Sequence, residues 1–474
     1  MKCSAAACIA LALAGCAARI PVPMESQLSV PEQWRSQAAA PAEPVSHPGV
    51  RPQGVTQAQL EREWWKAYGD PALSELVARV LEHNTDVRLA QLRVAEFRAR
   101  LAAADANRAP TLGATLTPVR TRTLAYNGVP YITNLFAGEL QAAYEVDLWG
   151  RLAHASEAAA QSLAAERANA DAAQLSVAAL AANGYLQLRG LDAALELARA
   201  TLDLREQSRR LAQQQFETGY TSRLEWLQAQ AEYEAAAEQI PQLQRQVSEQ
   251  ENALSLLSGS SPGPIARGKT LDELSPPPVP VGLPSTLLQR RPDIARAAHN
   301  VAAAKASVQA TSEQLLPTFR LTATGGVQSP DFSKFLHDPT FLWRVGAGLA
   351  APIWDGGRVQ AQTDAAAAQR DQSLVAYEQT VRVALVEVEN SLTALQRLQE
   401  QSVQNDARRA TAAETLRIAR NRYRNGYASY LEELDAQRTL FNADVTRLQL
   451  RSRLLGASVD LYRALGGGWQ PGAN

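Results

Sequence analysis

The segment GPIARGKT at 263–270 fits the spacing G-x-x-x-x-G-K-[ST] of a phosphate-binding loop. Such a loop binds phosphate through backbone N–H groups, and it requires a buried strand before it and a helix after it. In this chain a predicted helix ends at Gly259, and the run LDELSPPP follows the loop. Pro264 also lacks one of the N–H groups that phosphate would need. We therefore expect the match to have no role in nucleotide binding.

The titratable residues show no catalytic pattern that we recognise. The five histidines are scattered and lack the H-E-x-x-H spacing of a zinc site. We find no nucleophile paired with a base, and the formal net charge of −1 gives no bulk attraction to nucleic acid. The sequence therefore predicts neither an enzyme nor a metal-binding or nucleic-acid-binding protein.

One charged pair is notable because its surroundings are apolar. Arg438 occupies a position where the 3–4 spacing of a predicted helix calls for an apolar residue, and Asp435 lies one turn before it. A charge in an apolar seam is costly unless it is paired or hydrated. The pair is therefore either a solvated ion pair at i,i+3 or a functional site. The seam residues are Leu431, Leu434, Phe441 and Val445.

The helix that carries this pair has an earlier counterpart. FETGYTS at 216–222 and YRNGYAS at 423–429 both precede a helical run, and they lie 207 residues apart. The same offset relates residues throughout the two halves, which predicts an internal duplication. Gln228 and Ala231 are the first-copy counterparts of the charged pair, so only the second copy is charged there. Other matched pairs are Asp86 with Asp293, Pro110 with Pro317, Gly150 with Gly357, and Gly259 with Gly466.

Each copy has the same order of elements: a helix, two strands, a very long helix and a further helix. A helix from 151 to about 214 would span about 95 Å, enough to pair with two shorter helices stacked lengthwise. The seams have coiled-coil spacing, although an ordinary bundle core would show it too. The helices are expected at 72–107, 151–214, 221–257, 286–314, 358–421 and 428–464. The segments are a signal peptide (1–15), a lipidated extended segment (16–60), a first repeat (61–274), a Pro-rich linker (275–284), a second repeat (285–466) and a tail (467–474).

The strands are predicted at 111–123 and 131–148 in the first repeat, and at 318–329 and 341–353 in the second. Apolar and polar residues alternate along them, as in a membrane β-barrel or in the half-buried strands of a soluble sheet. Four strands cannot close a barrel, so a membrane barrel would have to be shared among chains. Two chains would give a filled interior and three chains a lumen. The polar residues expected to face a lumen are Glu139, Glu145, Asp147 and Arg344.

The N-terminus has the pattern of an export signal. Lys2 precedes a short apolar run that ends in Leu13-Ala14-Gly15-Cys16. This resembles a bacterial lipoprotein signal, in which Cys16 becomes the lipidated first residue; an ordinary signal peptide cut nearby is the alternative. The covalent lipid on Cys16 would be the chain's only attached group, and no other cofactor is expected.

Three stretches resemble the TolC-like outer-membrane efflux channels, in particular the lipoprotein branch that serves tripartite multidrug pumps. They are LPSTLLQRRPDI (283–294), YEVDLWGR (144–151) and YASYLEELDAQRTL (427–440). The resemblance implies a mainly α fold with a small membrane β part. In it, three duplicated protomers form a twelve-stranded barrel and a long antiparallel coiled-coil tunnel. The implied function is passive export of small molecules across the outer membrane of a Gram-negative bacterium.

The resemblance also implies partners: a homotrimer, a periplasmic adaptor, an RND-type inner-membrane transporter and outer-membrane lipid. Leu431, Asp435 and Arg438 match the family's periplasmic constriction. The two Gly-Tyr turns would contact the adaptor, although they are also well-capped helix–helix turns. A lipid-anchored structural tether without a pore is the alternative function. The adaptor-contact residues are Thr218, Gly219, Tyr220, Thr221, Ser222, Asn425, Gly426, Tyr427, Ala428 and Ser429.

Overall fold

The computed structural model describes residues 18–35, 63–277, 282 and 284–469. The described residues form two compact units. One contains 18–27, Leu92–Arg167 and Arg296–Gln379, and the other contains 28–35, 63–91, 168–277, 282, 284–295 and 380–469. The predicted lipidation site, Cys16, lies outside the described residues.

The elements follow the duplicated order that the sequence predicts. In chain order they are α1 (Pro71–His83), α2 (Thr85–Ala106), β1 (Thr111–Leu124), β2 (Pro130–Val146), α3 (Arg151–Glu217), α4 (Arg223–Leu257), α5 (Leu287–Arg290), α6 (Pro292–Ser312), β3 (Thr318–Ser329), α7 (Phe332–His337), β4 (Thr340–Ala350), α8 (Arg358–Arg424) and α9 (Tyr430–Ala464). The two long helices, α3 and α8, have 67 residues each. In the described part of the chain, we find no helix with the length and apolarity that crossing a membrane would require.

The four strands form one antiparallel sheet in the order β1-β2-β3-β4. The register places Glu139 opposite Gly326, and Thr324 opposite Arg344. Paired residues point to the same side of a sheet, so the alternation in each strand gives the sheet one apolar face and one polar face. The apolar face is largely exposed, and it includes Leu112, Leu116, Leu140, Phe341, Trp343, Val345 and Leu349.

The first helix of each repeat, predicted as a single element, is interrupted in the structure. Asn84 separates α1 from α2 with an extended backbone, and its counterpart Arg291 does the same between α5 and α6. Asn84 Oδ1 accepts the N–H groups of Asp86 and Val87, and its amide donates to the carbonyl of Leu257 at 3.0 Å. The side chain thus caps the N-terminus of α2 and satisfies a carbonyl at the end of α4.

Arg291 occupies the equivalent break in the second copy with different chemistry. Its guanidinium donates to Asp293, to Glu387 at 2.8 Å and to the carbonyl of Ala464 at 2.9 Å. Burial disfavours the charged form of Asp293, but the hydrogen bonds from Arg291 outweigh it, so the pKa of that carboxyl lies below its ordinary value. The break is therefore held by an ion cluster around a buried guanidinium, and this cluster joins α6, α8 and α9.

Residues 18–35 belong to the predicted extended segment (16–60), and specific contacts fix them. In the first unit, the N–H of Arg19 donates to Gln360, and the N–H of Gln27 donates to Glu378 at 2.8 Å. In the second unit, Trp34 is 2% exposed within an apolar cluster. Side-chain acceptors along α8 and one buried indole thus order a segment that lacks helix or strand periodicity. The cluster around Trp34 includes Leu287, Val388, Leu461, Ala464 and Leu465.

Candidate functional site

The two Gly-Tyr turns have the same backbone geometry. Gly219 and Gly426 have positive φ angles of 79° and 76°. The N–H of Tyr220 donates to the carbonyl of Gln215, and that of Tyr427 to the carbonyl of Arg422, both at 2.8 Å. These six-to-one bonds are those of a Schellman C-cap, which ends a helix with a left-handed residue. The tip residues predicted for adaptor contact are thus grouped at two helix–helix turns, and most of them are exposed.

Replacing Gly219 by alanine is expected to lower the free energy of local unfolding at this turn by about 1–2 kcal/mol, because a Cβ is disfavoured in the left-handed region. A Cβ at Gly219 would meet no atom within 4 Å, so the cost comes from the backbone alone. Amide hydrogen exchange over 211–222 measures it. Gly113→Ala is the matched control, since its Cβ also meets nothing within 4 Å and its φ is not positive. Equal exchange in the two variants would contradict the expectation.

Leu431, Asp435 and Arg438 lie on one exposed face of α9, at spacings of four and three residues. Leu431 is 59% exposed, so it does not belong to a packed seam within the protomer. The prediction that Arg438 interrupts that seam is therefore wrong. Gln437, the preceding residue, takes the buried position and is 3% exposed.

Arg438 pairs within its own chain, with Glu232 of α4. Glu232 also lies 3.5 Å from Arg205 of α3, whose side chain is only 5% exposed. In the described part of the protomer, the carboxylate of Asp435 forms no hydrogen bond or ion pair of its own. The exposed face therefore presents an apolar side chain, a carboxylate without a direct partner and a guanidinium anchored to a neighbouring helix.

A buried polar network lies behind this face, and the sequence analysis missed it. Arg205 donates to the amide oxygen of Gln437, and Gln437 donates to Glu433 at 2.8 Å. Glu433 also accepts from Arg420 of α8 at 3.3 Å. With Glu232, these residues connect α3, α4, α8 and α9. Glu433 and Gln437 are separated by four residues, but nothing in that spacing shows that both are buried.

Aromatic residues pack below the turns in both copies. Phe216 stacks on Trp226 with ring centroids 5.5 Å apart, and Tyr423, its counterpart at the repeat offset, contacts Tyr430 at 5.7 Å. Tyr423 donates its hydroxyl to Gln215 at 2.8 Å, and burial raises the pKa of Tyr430 to about 12. Both tyrosines therefore stay neutral at physiological pH, and they hold the two turns together.

The phosphate-loop match has a structural explanation. The N–H of Gly268 donates to the Tyr185 hydroxyl at 2.9 Å, and that of Lys269 to the carboxylate of Asp70 at 3.0 Å. Asp70 is 1% exposed, and a Cβ on Gly268 would lie 2.0 Å from its Oδ1. The glycine is thus required by the close approach of a carboxylate. The protein's own Asp70 occupies the anion position that the motif would offer to phosphate.

The polar residues predicted for a lumen divide into two groups. Glu139, Glu145 and Arg344 lie on the polar face of the sheet, as the alternation predicts. Glu145 pairs with Arg151 at 2.5 Å. The prediction for Asp147 is not met, because β2 ends at Val146. The Asp147 carboxylate accepts the N–H groups of residues 152 and 153, the latter at 2.8 Å, and so caps the N-terminus of α3.

The family model named "Outer membrane efflux protein" matches residues 76–260 and 283–467. The chain belongs to the outer membrane efflux protein family. Both ends of the second match lie at the repeat offset from those of the first, so this efflux protein carries two copies of the family unit. The predicted fold class, a mainly α duplicated protomer with a small β part, is confirmed.

Relatives and solved structures cover nearly the whole length of this efflux protein. It is 33% identical over 467 residues to the pyoverdine export outer membrane protein OpmQ of Pseudomonas aeruginosa, covering 97% of this chain and 95% of that protein. It is 32% identical over 463 residues to the cation efflux system protein CusC of Escherichia coli, covering 97% and 98%. A crystal structure of CusC superposes with a TM-score of 0.82 at 30% identity, covering 95% of this chain and 99% of that one. The open-state outer membrane channel MtrE of Neisseria gonorrhoeae gives 0.82 at 28% identity, covering 96% and 99%.

These similarities decide between the two functions that the sequence left open. This efflux protein is the outer-membrane channel component of a tripartite efflux system, and it resides in the outer membrane of a Gram-negative bacterium. The poreless tether is not supported, because the proteins named above are an export protein, an efflux-system protein and an outer membrane channel.

Proposed function

We propose that three copies of this chain close a twelve-stranded barrel through which small molecules leave the periplasm passively, without enzymatic chemistry. The main support for this proposal is the four-stranded sheet. Among the described residues, β1 and β4 each pair on one side only, and the apolar face of the sheet is exposed. Unpaired strand edges beside lipid are very costly, so neighbouring copies must pair β4 with β1.

The polar face then lines the lumen, with Glu139, Glu145 and Arg344 among its charged groups. Per protomer, this face also carries Arg320, which lies 3.9 Å from Glu145. Two carboxylates and two guanidiniums balance each other, and threonines occupy many of the remaining positions. Such a wall favours water-filled passage without selection for cargo charge.

The gate is proposed at the exposed face of α9. In a trimer, three copies of Asp435 would form a carboxylate ring and three copies of Leu431 an apolar ring. Arg438 is held by Glu232 of its own chain, so it supports the gate by fixing α9 to α4 within the protomer. The partners proposed are an adaptor at the two Gly-Tyr turns and, through it, an RND-type transporter. A covalent lipid on Cys16 would anchor the chain.

Single-channel recording with the purified full-length protein in planar bilayers tests this function. We expect discrete conductance steps, together with a trimer on chemical crosslinking. A cysteine at Thr115 in β1, combined in turn with cysteines at Leu342, Arg344 and Gly346 in β4, should give a covalent trimer for one of these combinations. Pairing Thr115→Cys with Gln141→Cys, within the sheet of one chain, is the control that should not link copies. Absence of both conductance and trimer would refute the proposal.

A further inference from the structure

Toward one end of the sheet, the apolar face includes two charged residues of β1. Along β1 this face carries Leu112, Leu116 and Pro118, and then two arginines, Arg120 and Arg122. The partner of Arg120 in β2 is Asn134, whereas the next row back contains Phe136. In β1 the change from apolar to cationic side chains therefore begins at the row where β2 carries the polar Asn134, and one row further Arg122 lies opposite the apolar Ile132. It lies toward the β1–β2 turn, the end of the hairpin opposite to α2 and α3.

Both arginines are exposed, and within the described residues neither one forms an ion pair or hydrogen bond. The carboxylates of β2, Glu139 and Glu145, lie on the opposite face of the sheet. Asp331, in the β3–β4 connection, already lies 4.0 Å from Lys334. The guanidiniums of Arg120 and Arg122 are thus free to bind an anion supplied from outside the protein.

The short helix α7 packs on this apolar face, next to the row where the arginines begin. In α7, the ring of Phe335 packs over Gly138, 3.4 Å from where a Cβ of residue 138 would lie and beside Leu116. Phe332 contacts Phe136, with the ring centroids 5.3 Å apart. Phe332 and Leu336 are 58% and 60% exposed. Aromatic and aliphatic side chains at the edge of an apolar band are typical of a membrane interface.

We propose that Arg120 and Arg122 bind phosphate groups of lipids in the outer leaflet, at the rim marked by α7. Continuity with the lipid-facing band places the two guanidiniums at head-group depth, and their planar N–H forks suit bidentate contact with phosphate. The aliphatic parts of both side chains can lie along the band while the charges reach the head groups. The proposal rests on the outer-membrane location but not on conduction.

Heat dissociation of the purified full-length trimer, in neutral detergent with added lipid, tests the proposal. The probe is lipid A with two phosphates, and the comparison lipids are monophosphoryl lipid A and phosphatidylcholine. We expect saturable stabilisation by the doubly phosphorylated lipid, weakening with salt and with each phosphate removed. For Arg120→Gln with Arg122→Gln, the apparent affinity should fall about 10- to 30-fold. Arg344→Gln, an exposed arginine on the opposite face of the same sheet, should keep the parent affinity.

Two results would overturn the proposal: equal stabilisation of the double variant and the parent, or equal stabilisation by phosphatidylcholine and lipid A. Inorganic phosphate, added alone at the same phosphate concentration, should not stabilise the trimer, since it lacks the acyl chains that lie on the band. Stabilisation by inorganic phosphate equal to that by lipid A would also refute a lipid site. Single-channel conductance of the double variant should match the parent, so failure here leaves the channel function intact.

Discussion

Replacing Asp435 and Arg438 together by alanine is expected to make the channel leak. The variant removes the carboxylate that has no direct partner within its protomer and releases α9 from Glu232 of α4. Each loss of about 1.4 kcal/mol in the free energy of closing raises the open-to-closed ratio about tenfold. Single-channel recording should show a larger open fraction, and cells carrying the variant should become more sensitive to vancomycin.

The duplication supplies the control for this experiment. Gln228→Ala changes the position equivalent to Asp435 in the first copy, so it should leave conductance and vancomycin sensitivity at the parent level. Arg438→Gln separates the two parts of the gate, because it removes the ion pair with Glu232, which keeps Arg205 as a partner, and leaves Asp435 in place. We expect it to leak less than the double variant. Parent-like conductance and vancomycin sensitivity in the double variant would rule out a gate on this face.

Arg291→Met is expected to destabilise the fold by about 2–3 kcal/mol, because a buried guanidinium that donates to a carboxylate and to a backbone carbonyl is lost. The substitution would remove the guanidinium donor of Asp293 and of the carbonyl of Ala464, and it would leave Glu387 with Arg463 alone. The expected result is a clearly lower midpoint for the thermal loss of helical circular dichroism in detergent. Arg291→Lys should recover part of the loss, since lysine keeps the charge but not the planar fork.

Arg79→Met is the matched control for the ion cluster. Arg79 pairs with Glu75 at 2.8 Å on an exposed helix face, with side chains 48% and 70% exposed. Such a pair contributes about 0.3–0.5 kcal/mol, so its loss should shift the midpoint little. Equal midpoints for the Arg291 and Arg79 variants would show that the break between α5 and α6 does not depend on the cluster.

The sequence predicted correctly those features that depend only on local residue spacing. The Gly-Tyr turns were predicted correctly because a left-handed helix end requires glycine whatever surrounds it. The two faces of the sheet followed from a two-residue period that the backbone imposes on every strand. The ends of the strands were predicted less accurately. Asp147 was assigned to a strand because the alternation continues through it, whereas the backbone needs it as a cap for α3.

Side-chain partners at the gate could not be predicted in this way. Neighbouring positions on a helix point about 100° apart, so the rotational setting of α9 about its axis decides whether residue 437 or residue 438 faces the protomer interior. The seam pattern favoured Arg438, but the buried Gln437 accepts a hydrogen bond from Arg205 of α3 and donates one to Glu433 of its own helix. Glu232, which binds Arg438, lies about 200 residues earlier, and no spacing rule connects the two.

By itself, the sequence determined the duplication, the order of helices and strands, the turn glycines and the family resemblance, since each is a local pattern or a fixed offset. The tertiary structure alone decided which polar groups meet. It placed Asp70 where a phosphate loop would hold its anion, the buried Arg291 between two carboxylates, and Arg438 in contact with Glu232 of α4. The physical reason is that burying a charge is favourable only when partners from several elements converge on it, and that convergence exists only once the helices have packed.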